Sequence, residues 1–285
     1  MPTIGVFQVP SRRELAWRLA IYHAVNARGW LSFEGRCEPT SETSTNRLMV
    51  TSNPADVDLD YVDHWVVLTA DAARSAAYLG DELKVGSSGV GMIASHLAAA
   101  DILARRGAPV FGDDAASISI AEVEGIALSD AESRDPGGSS LEGPAREALA
   151  MYAAMPIKIG AAGFWSPSLY KQPIREDYGL DVIDLTGRTR TIIQGPYIPL
   201  PPGVWRMTAD FEIVTPPEGG QFLFAWGAAG HMTEWSGFLP RSGRYQLQLE
   251  SKWLTIAPAE FNVALLNPMF CGQLEMLGTV VEKIG

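Results

Sequence analysis

The segment from Phe224 to Phe238 holds the densest group of side chains that could bind a ligand. It reads Phe-Ala-Trp-Gly-Ala-Ala-Gly-His-Met-Thr-Glu-Trp-Ser-Gly-Phe, with two indoles, an imidazole and a carboxylate around a glycine-rich loop. The flat C–H face of a sugar ring stacks on an indole, and its hydroxyls need hydrogen-bond donors and acceptors. We therefore predict a site with Trp226 and Trp235 as platform and His231 and Glu234 as polar partners. In the alternative interpretation both tryptophans are core and the loop is an ordinary hairpin.

A second candidate lies in the stretch Lys84 to Gly91, which reads Lys-Val-Gly-Ser-Ser-Gly-Val-Gly and opens a helix. Backbone N–H groups at a helix N-terminus offer a partial positive charge to a phosphate, and a sugar-nucleotide diphosphate would suit such a turn. The predicted phosphate-binding residues are Lys84, Gly86, Ser87, Ser88 and Gly89. The order matches neither the dinucleotide fingerprint nor a P-loop, so an ordinary capped turn is the alternative.

Catalytic machinery is not indicated by any other motif. Asp113 and Asp114 follow a short apolar run, and adjacent carboxylates can hold a divalent ion, although such a pair more often solvates a turn. His64 begins a predicted strand and His96 lies in an alanine-rich stretch, both typical of structural histidines. A Gly-x-Ser-x-Gly elbow is absent. The sequence predicts no metal and no cofactor, and leaves catalytic residues unassigned.

Charge and hydropathy restrict the partners of this chain of 285 residues. Lys and Arg number 22 against 33 Asp and Glu, which gives a net charge of −11. Such a balance argues against nucleic acid or an anionic membrane as the main partner. No apolar run reaches the length of a membrane span, and the N-terminus lacks a leader pattern, which predicts a cytoplasmic protein. Cys37 and Cys271 are too few for a disulfide scaffold, and their pairing stays open.

The first part of the chain, 1–155, alternates strand and helix patterns. Strands are predicted at Arg47–Thr51, His64–Thr69 and Pro109–Phe111, and the best helix at Gly89–Arg106. Ser11 with Glu14 resembles a capping box at the start of an earlier helix. These patterns predict a small α/β domain with a parallel sheet and crossover helices. A further helix is predicted at Leu141–Ala154.

The last part, 181–285, carries the period of half-buried strands. Apolar and polar side chains alternate from Val204 to Val214, from Tyr245 to Glu250 and from Phe261 to Leu265, and a final strand is predicted at Gln273–Glu282. Proline, glycine and asparagine clusters separate these runs. The pattern predicts an antiparallel β-sandwich, or jelly roll. Between the two parts, 156–180 is rich in Pro, Gly and aromatic residues and is interpreted as a connector.

Several short runs in this last part carry a likeness to a known family. They are Asp184-Leu185-Thr186-Gly187-Arg188, Gly195-Pro196-Tyr197-Ile198, Leu200-Pro201-Pro202-Gly203-Val204-Trp205-Arg206, Gly243-Arg244-Tyr245 and Phe270-Cys271-Gly272-Gln273-Leu274. In this order they resemble a β-sandwich module appended to bacterial glycosyltransferases and surface-polysaccharide proteins. The general layout is also similar to that of jelly-roll carbohydrate-binding modules. The likeness covers about 105 residues. Residues 1–180 resemble no family.

The resemblance implies a carbohydrate-binding or accessory protein linked to bacterial surface-polysaccharide assembly, with a glycan as ligand. A competing hypothesis is a small glycosyltransferase-like enzyme that uses the turn at Gly86–Gly91 for a sugar nucleotide. A third is a structural or assembly protein, in which exposed aromatic residues contact another copy or a protein partner.

Overall fold

The computed structural model describes residues 3–35, 45–57, 59–72, 74–75, 78–79, 86–128, 143–173 and 179–285, with the backbone alone at 86–88. The chain divides into two compact units, Met1–Gly89 with Ser95–Leu141, and Val90–Ala94 with Glu142–Gly285. The sequence-based domain limits of 1–155, 156–180 and 181–285 stay predictions. Within the described ranges, no helix is long and apolar enough to cross a membrane.

The first unit contains a five-stranded parallel sheet. Its strands, in spatial order, are β2 (Leu31–Glu34), β3 (Arg47–Thr51), β1 (Thr3–Gln8), β4 (His64–Thr69) and β5 (Val110–Gly112). The central strand β1 is buried along its whole length and pairs with β3 and β4. A strand buried on both faces is mostly apolar on both, so it lacks the alternation that reveals half-buried strands.

Two helices and a hairpin accompany this sheet: α1 (Glu14–Asn26), α2 (Gly86–Arg105), β6 (Ile118–Ile120) and β7 (Val123–Ile126). Trp17, Ile21 and Val25 of α1 belong to one buried cluster with side chains of the sheet and the hairpin. The predicted capping box is wrong, because Arg13 stands at the N-cap without a side-chain hydrogen bond. Ser11 Oγ instead accepts from Arg13 N at 3.3 Å, which forms a turn before the helix.

The second unit is built on two antiparallel sheets. The first has the order β10 (Arg190–Ile193), β16 (Ala257–Leu265), β13 (Gly220–Ala228) and β14 (His231–Leu239), with β11 (Pro196–Leu200) also paired to β16. The second has the order β15 (Gly243–Trp253), β12 (Gly203–Val214), β17 (Gln273–Lys283) and β8 (Ala162–Trp165), with β9 (Ile183–Asp184) also paired to β17.

The two sheets meet through aromatic side chains, which confirms the predicted β-sandwich. Phe211 of β12 lies 5.4 Å from Phe224 of β13 and 6.0 Å from Phe261 of β16, measured between ring centroids. In β12 the buried residues are those that the alternation placed on one face, so the period of two predicted the core face correctly.

Two elements differ from their sequence interpretation, and a third follows the alternative interpretation as a hairpin. The stretch interpreted as a connector contains β8, which pairs with β17 and places Trp165 in the core. The helix predicted at Leu141–Ala154 appears, within the described residues, as the shorter α3 (Gly143–Ala148) followed by a 3-10 turn, Ala150–Tyr152. The glycine-rich loop between Phe224 and Phe238 is a hairpin of β13 and β14 with only Ala229 and Gly230 between the strands.

Candidate functional site

The hairpin of β13 and β14 fixes the direction of every side chain in the predicted ligand site. Phe224 stands opposite Trp235, Trp226 opposite Thr233 and Ala228 opposite His231. Directly opposite residues in an antiparallel pair project to the same face of the sheet, and neighbours along a strand project to opposite faces. The register therefore decides which of the four predicted residues can converge.

Trp226 is not a ligand platform, and this part of the prediction is wrong. Its side chain is 0% exposed and lies between Trp165, at 5.8 Å, and Trp253, at 5.2 Å between ring centroids. It projects to the inner face of β13 with Phe222 and Phe224, where the two sheets meet. The alternative interpretation as core is correct for Trp226.

Trp235 differs from every other tryptophan of the chain. All eight tryptophans lie in the described ranges; seven are at most 9% exposed, and Trp235 is 40% exposed. Its ring centroid is 5.7 Å from that of Phe224. Its indole also lies over Gly237, where an added Cβ would come within 2.2 Å of Trp235 Cη2. Part of the indole is thus held by packing while the remainder faces solvent.

His231 and Glu234 are both exposed but do not form one site with Trp235. Odd-numbered residues of β14 share the inward face of Trp235, so Glu234 projects to the opposite face. The prediction that Glu234 is a polar partner of Trp235 in one site is therefore wrong. His231 shares the face of Trp235 at a spacing of four residues, which is about 13 Å along a strand. A single sugar ring therefore cannot contact both, whereas an oligosaccharide along β14 could.

Edge strands from the two sheets approach each other beside this face. Thr233 Oγ1 donates to Glu250 O at 2.8 Å, and Ser251 Oγ donates to His231 O at 3.4 Å. Farther along β15, the inward-facing Tyr245 is only half-buried. Sequence reasoning missed Thr233 and Tyr245, although the alternation of β15 already contained the signal for the inward direction of Tyr245.

Phe238 is a second exposed aromatic residue on β14 that sequence reasoning left unassigned. It is 57% exposed and projects to the face opposite Trp235. Its ring lies over Gly219, where an added Cβ would come within 2.5 Å of Phe238 Cζ. Phe238 and Trp235 are therefore two exposed aromatic rings of the same strand that face in opposite directions.

The predicted phosphate turn is only partly covered by the described residues. Lys84 lies outside them, and Gly86 to Gly89 form the first turn of α2, whose N-terminus therefore falls inside the motif. Phosphate binding at Gly86, Ser87, Ser88 and Gly89 stays a prediction.

Asp113 lies at the carboxyl end of β5 and is buried, whereas its charged neighbours Arg74 and Asp114 are exposed. Arg74 Nη1 is 3.4 Å from Asp113 Oδ1 and 3.7 Å from Asp114 Oδ2. Trp17 Nε1 donates to Asp113 O at 2.9 Å. Burial raises the pKa of the Asp113 carboxyl, and Arg74 and the Ser11 hydroxyl oppose the shift. Arg74 compensates both carboxylates, which favours a structural ion pair over a metal site. The hydrogen bond from Trp17 ties α1 to the end of β5.

A cavity of about 490 Å³ lies at the opposite, amino end of the parallel sheet. Its polar lining comes from Asp63, His64 and Arg106, and Asp63 Oδ2 accepts from Thr3 N at 2.7 Å. His96 is half-buried on α2. Among the described residues, no three His, Cys, Asp or Glu side chains form a group that could hold a metal ion.

Comparisons with known proteins find similarity only at the level of solved structures. Neither a protein-family model nor a curated protein matches the sequence. The carbohydrate-binding module TmCBM61, solved with β-1,4-galactotriose, is 12% identical over 43% of this chain and 82% of its own, with a TM-score of 0.28. The CBM22-1 xylan-binding domain of Paenibacillus barcinonensis Xyn10C is 9% identical over 44% of this chain and 85% of its own, with a TM-score of 0.27.

A longer match is the glycosylation-associated protein complex Gap123 from Streptococcus agalactiae. The match is 9% identical and covers 89% of this chain but only 50% of the Gap123 chain, with a TM-score of 0.29. A functional proposal for this chain therefore rests on the geometry of its own described side chains.

Proposed function

We propose that the β-sandwich binds a neutral glycan and that Trp235 is the stacking platform. The observation that carries the proposal is the 40% exposure of Trp235 beside seven buried tryptophans. Exposing an indole in water forgoes the stabilisation that burial gives the others. An exposed indole that packing holds in place can therefore serve as a stacking platform.

The packing of Trp235 supports a platform that exists before the ligand arrives. Contact with Phe224 and the fit over Gly237 restrict rotation of the indole. A side chain that is already ordered loses little conformational entropy on binding. An extended oligosaccharide lying along β14 would stack on Trp235 and reach His231 about 13 Å away.

The biological setting is a further part of this proposal. A chain with an N-terminal α/β domain and a glycan-binding sandwich would suit an accessory role in bacterial surface-polysaccharide assembly, in the cytoplasm. The competing enzyme would bind a sugar nucleotide at the turn Gly86–Gly91, and titration with nucleotide sugars distinguishes the two functions. The assembly hypothesis predicts self-association in light scattering.

The decisive experiment is a glycan array followed by titration calorimetry on the full chain. We expect wild-type protein to bind a neutral oligosaccharide more tightly than the matching monosaccharide. Trp235→Ala should weaken binding at least tenfold, or about 1.4 kcal/mol. Phe238→Ala, the matched control on the opposite face of β14, should leave binding unchanged.

Folding and binding are separated by two further readouts. Near-ultraviolet circular dichroism reports whether each variant keeps the sandwich core, and Trp235→Phe retains a ring with little change in packing. Because Trp235 is the exposed indole, a bound glycan should protect the wild-type fluorescence from acrylamide. Glycan binding that is equal in wild type and a folded Trp235→Ala variant would refute the proposal.

A further inference from the structure

A polar cleft lies at the side of the sandwich away from β14. Its volume is about 290 Å³. It is bordered by β9 and β10, and β10 and β14 are opposite edges of the same sheet.

The charged groups of the cleft are held by their own backbone surroundings. Asp184 Oδ1 accepts from Thr186 N at 2.8 Å. Arg190 Nη2 donates to Asp184 O at 2.7 Å, and Arg190 Nη1 donates to Arg188 O at 3.1 Å. The Thr186 hydroxyl also hydrogen-bonds to the Asp184 carboxylate. A guanidinium has five N–H donors and a carboxylate has about four acceptor positions, so these contacts exhaust neither group. The Asp184 carboxylate and the Arg190 guanidinium are thus held in place before a ligand binds.

The charged, hydroxyl and amide side chains that line the cleft favour one class of ligand. One carboxylate and one guanidinium give the cleft no net charge, which favours a neutral ligand over an anion or a cation. The hydroxyl of Thr191 and the amide of Gln172 add groups that both donate and accept. The Thr186 hydroxyl donates to Asp184 and is left as an acceptor. Neighbouring hydroxyls of a sugar also donate and accept, so they match this set.

Size and apolar lining narrow the ligand to one ring. Small-molecule pockets commonly span about 300–1,000 Å³, and this cleft, at about 290 Å³, lies just below that range. Pro173, Val182 and Ile192 provide apolar walls for the C–H groups of a ring. We propose that the cleft is a second site, independent of Trp235, that binds a single neutral sugar residue through Asp184 and Arg190.

Hydrogen bonds from Thr186 lower the pKa of the Asp184 carboxyl. A carboxylate with a lowered pKa stays ionised through the neutral and mildly acidic range. The affinity of the cleft should therefore be constant from pH 8 to about pH 5, and should fall only where carboxyl groups titrate.

The test is a titration of the full chain with single sugars, followed by heteronuclear NMR. The probes are glucose, galactose and mannose, with inorganic phosphate as the anion. We expect at least one sugar to shift backbone resonances around 183–192 in a saturable manner. Asp184→Asn, which keeps an acceptor for Thr186 N, and Arg190→Gln should each weaken binding at least tenfold. Glu218→Gln, a control at an exposed turn carboxylate, should bind as wild type.

Thr191→Val changes an exposed side chain, so we expect this variant to fold as wild type does. It should also weaken the affinity of the cleft for the sugar. Trp235→Ala should bind single sugars in the cleft as wild type does, so failure of the cleft and failure of the Trp235 site give different results. Saturation by phosphate that sugars do not compete with would overturn the assignment. Unchanged binding in Asp184→Asn and Thr191→Val would overturn it as well.

Discussion

Trp226 and Trp235 carry the same side chain and lie on the same face of one hairpin, yet only one is open to solvent. Trp226 stands on β13, which has neighbours on both sides, whereas Trp235 stands on the edge strand β14. The sequence predicted two aromatic residues close together but not which strand would be the edge. Strand order depends on contacts between distant residues, and local periodicity contains no record of them.

At the same scale, a hydrogen bond between Tyr170 and Thr279 joins two fully buried hydroxyls of the sandwich at 2.6 Å. Tyr170→Phe or Thr279→Val leaves one hydroxyl without its partner, so each should lower the free energy of unfolding by about 1–3 kcal/mol. The double variant should lose less than the sum of the two single losses. Urea unfolding of the four proteins measures this coupling, and simple additivity would contradict a direct bond.

Tyr170 should also control stability in alkaline solution. Burial raises the pKa of its phenol well above the value in the unfolded chain, which is about 10. Because the folded state holds the neutral form, the stabilisation is complete below pH 10 and is lost as the pH rises above it. The free energy of unfolding should fall less steeply above pH 10 in Tyr170→Phe than in wild type. Tyr245→Phe, at a half-buried ring, is the control, and matching profiles for Tyr170→Phe and wild type would refute this role.

At the scale of elements, predictability follows the environment of each strand. The strand β12 was predicted within one residue because one face is buried and the other is polar. The segment of β13 and β14 was interpreted as a glycine-rich loop with a hairpin as the alternative, and the hairpin is what forms, with Gly230 in its turn. The strand β8 lies between Pro156 and Pro167, and its pairing with β17, more than 100 residues later, leaves no local trace.

The same element supplies a prediction about the sandwich core. Trp165 of β8 is fully buried against Trp226, whereas its neighbour Phe164 is 37% exposed on the other face. Trp165→Ala should lower the free energy of unfolding by about 3–5 kcal/mol, because it opens a cavity in the core. Phe164→Ala, the matched control, should cost clearly less. Chemical unfolding followed by circular dichroism measures both, and equal losses would show that β8 is not a core strand.

At the scale of the whole molecule, charge is unevenly distributed along the chain. Residues 1–180 hold 15 basic against 23 acidic side chains, whereas residues 181–285 hold 7 against 10. Most of the net charge of −11 therefore belongs to the first part. The part that contains Trp235 and the polar cleft is closer to neutral, which fits an uncharged ligand at both sites.

This distribution makes salt the sharpest test of ligand class. Binding of a neutral glycan displaces no counterions, so its affinity should change less than about twofold between 0.05 and 0.5 M NaCl. A polyanionic glycan would meet an acidic protein, and its binding should strengthen with added salt as the repulsion is screened. Calorimetry across this series, with wild type and Trp235→Ala, measures the dependence. An affinity that falls steeply with salt would require a cationic surface facing an anionic ligand, and would exclude the neutral glycan proposed for Trp235.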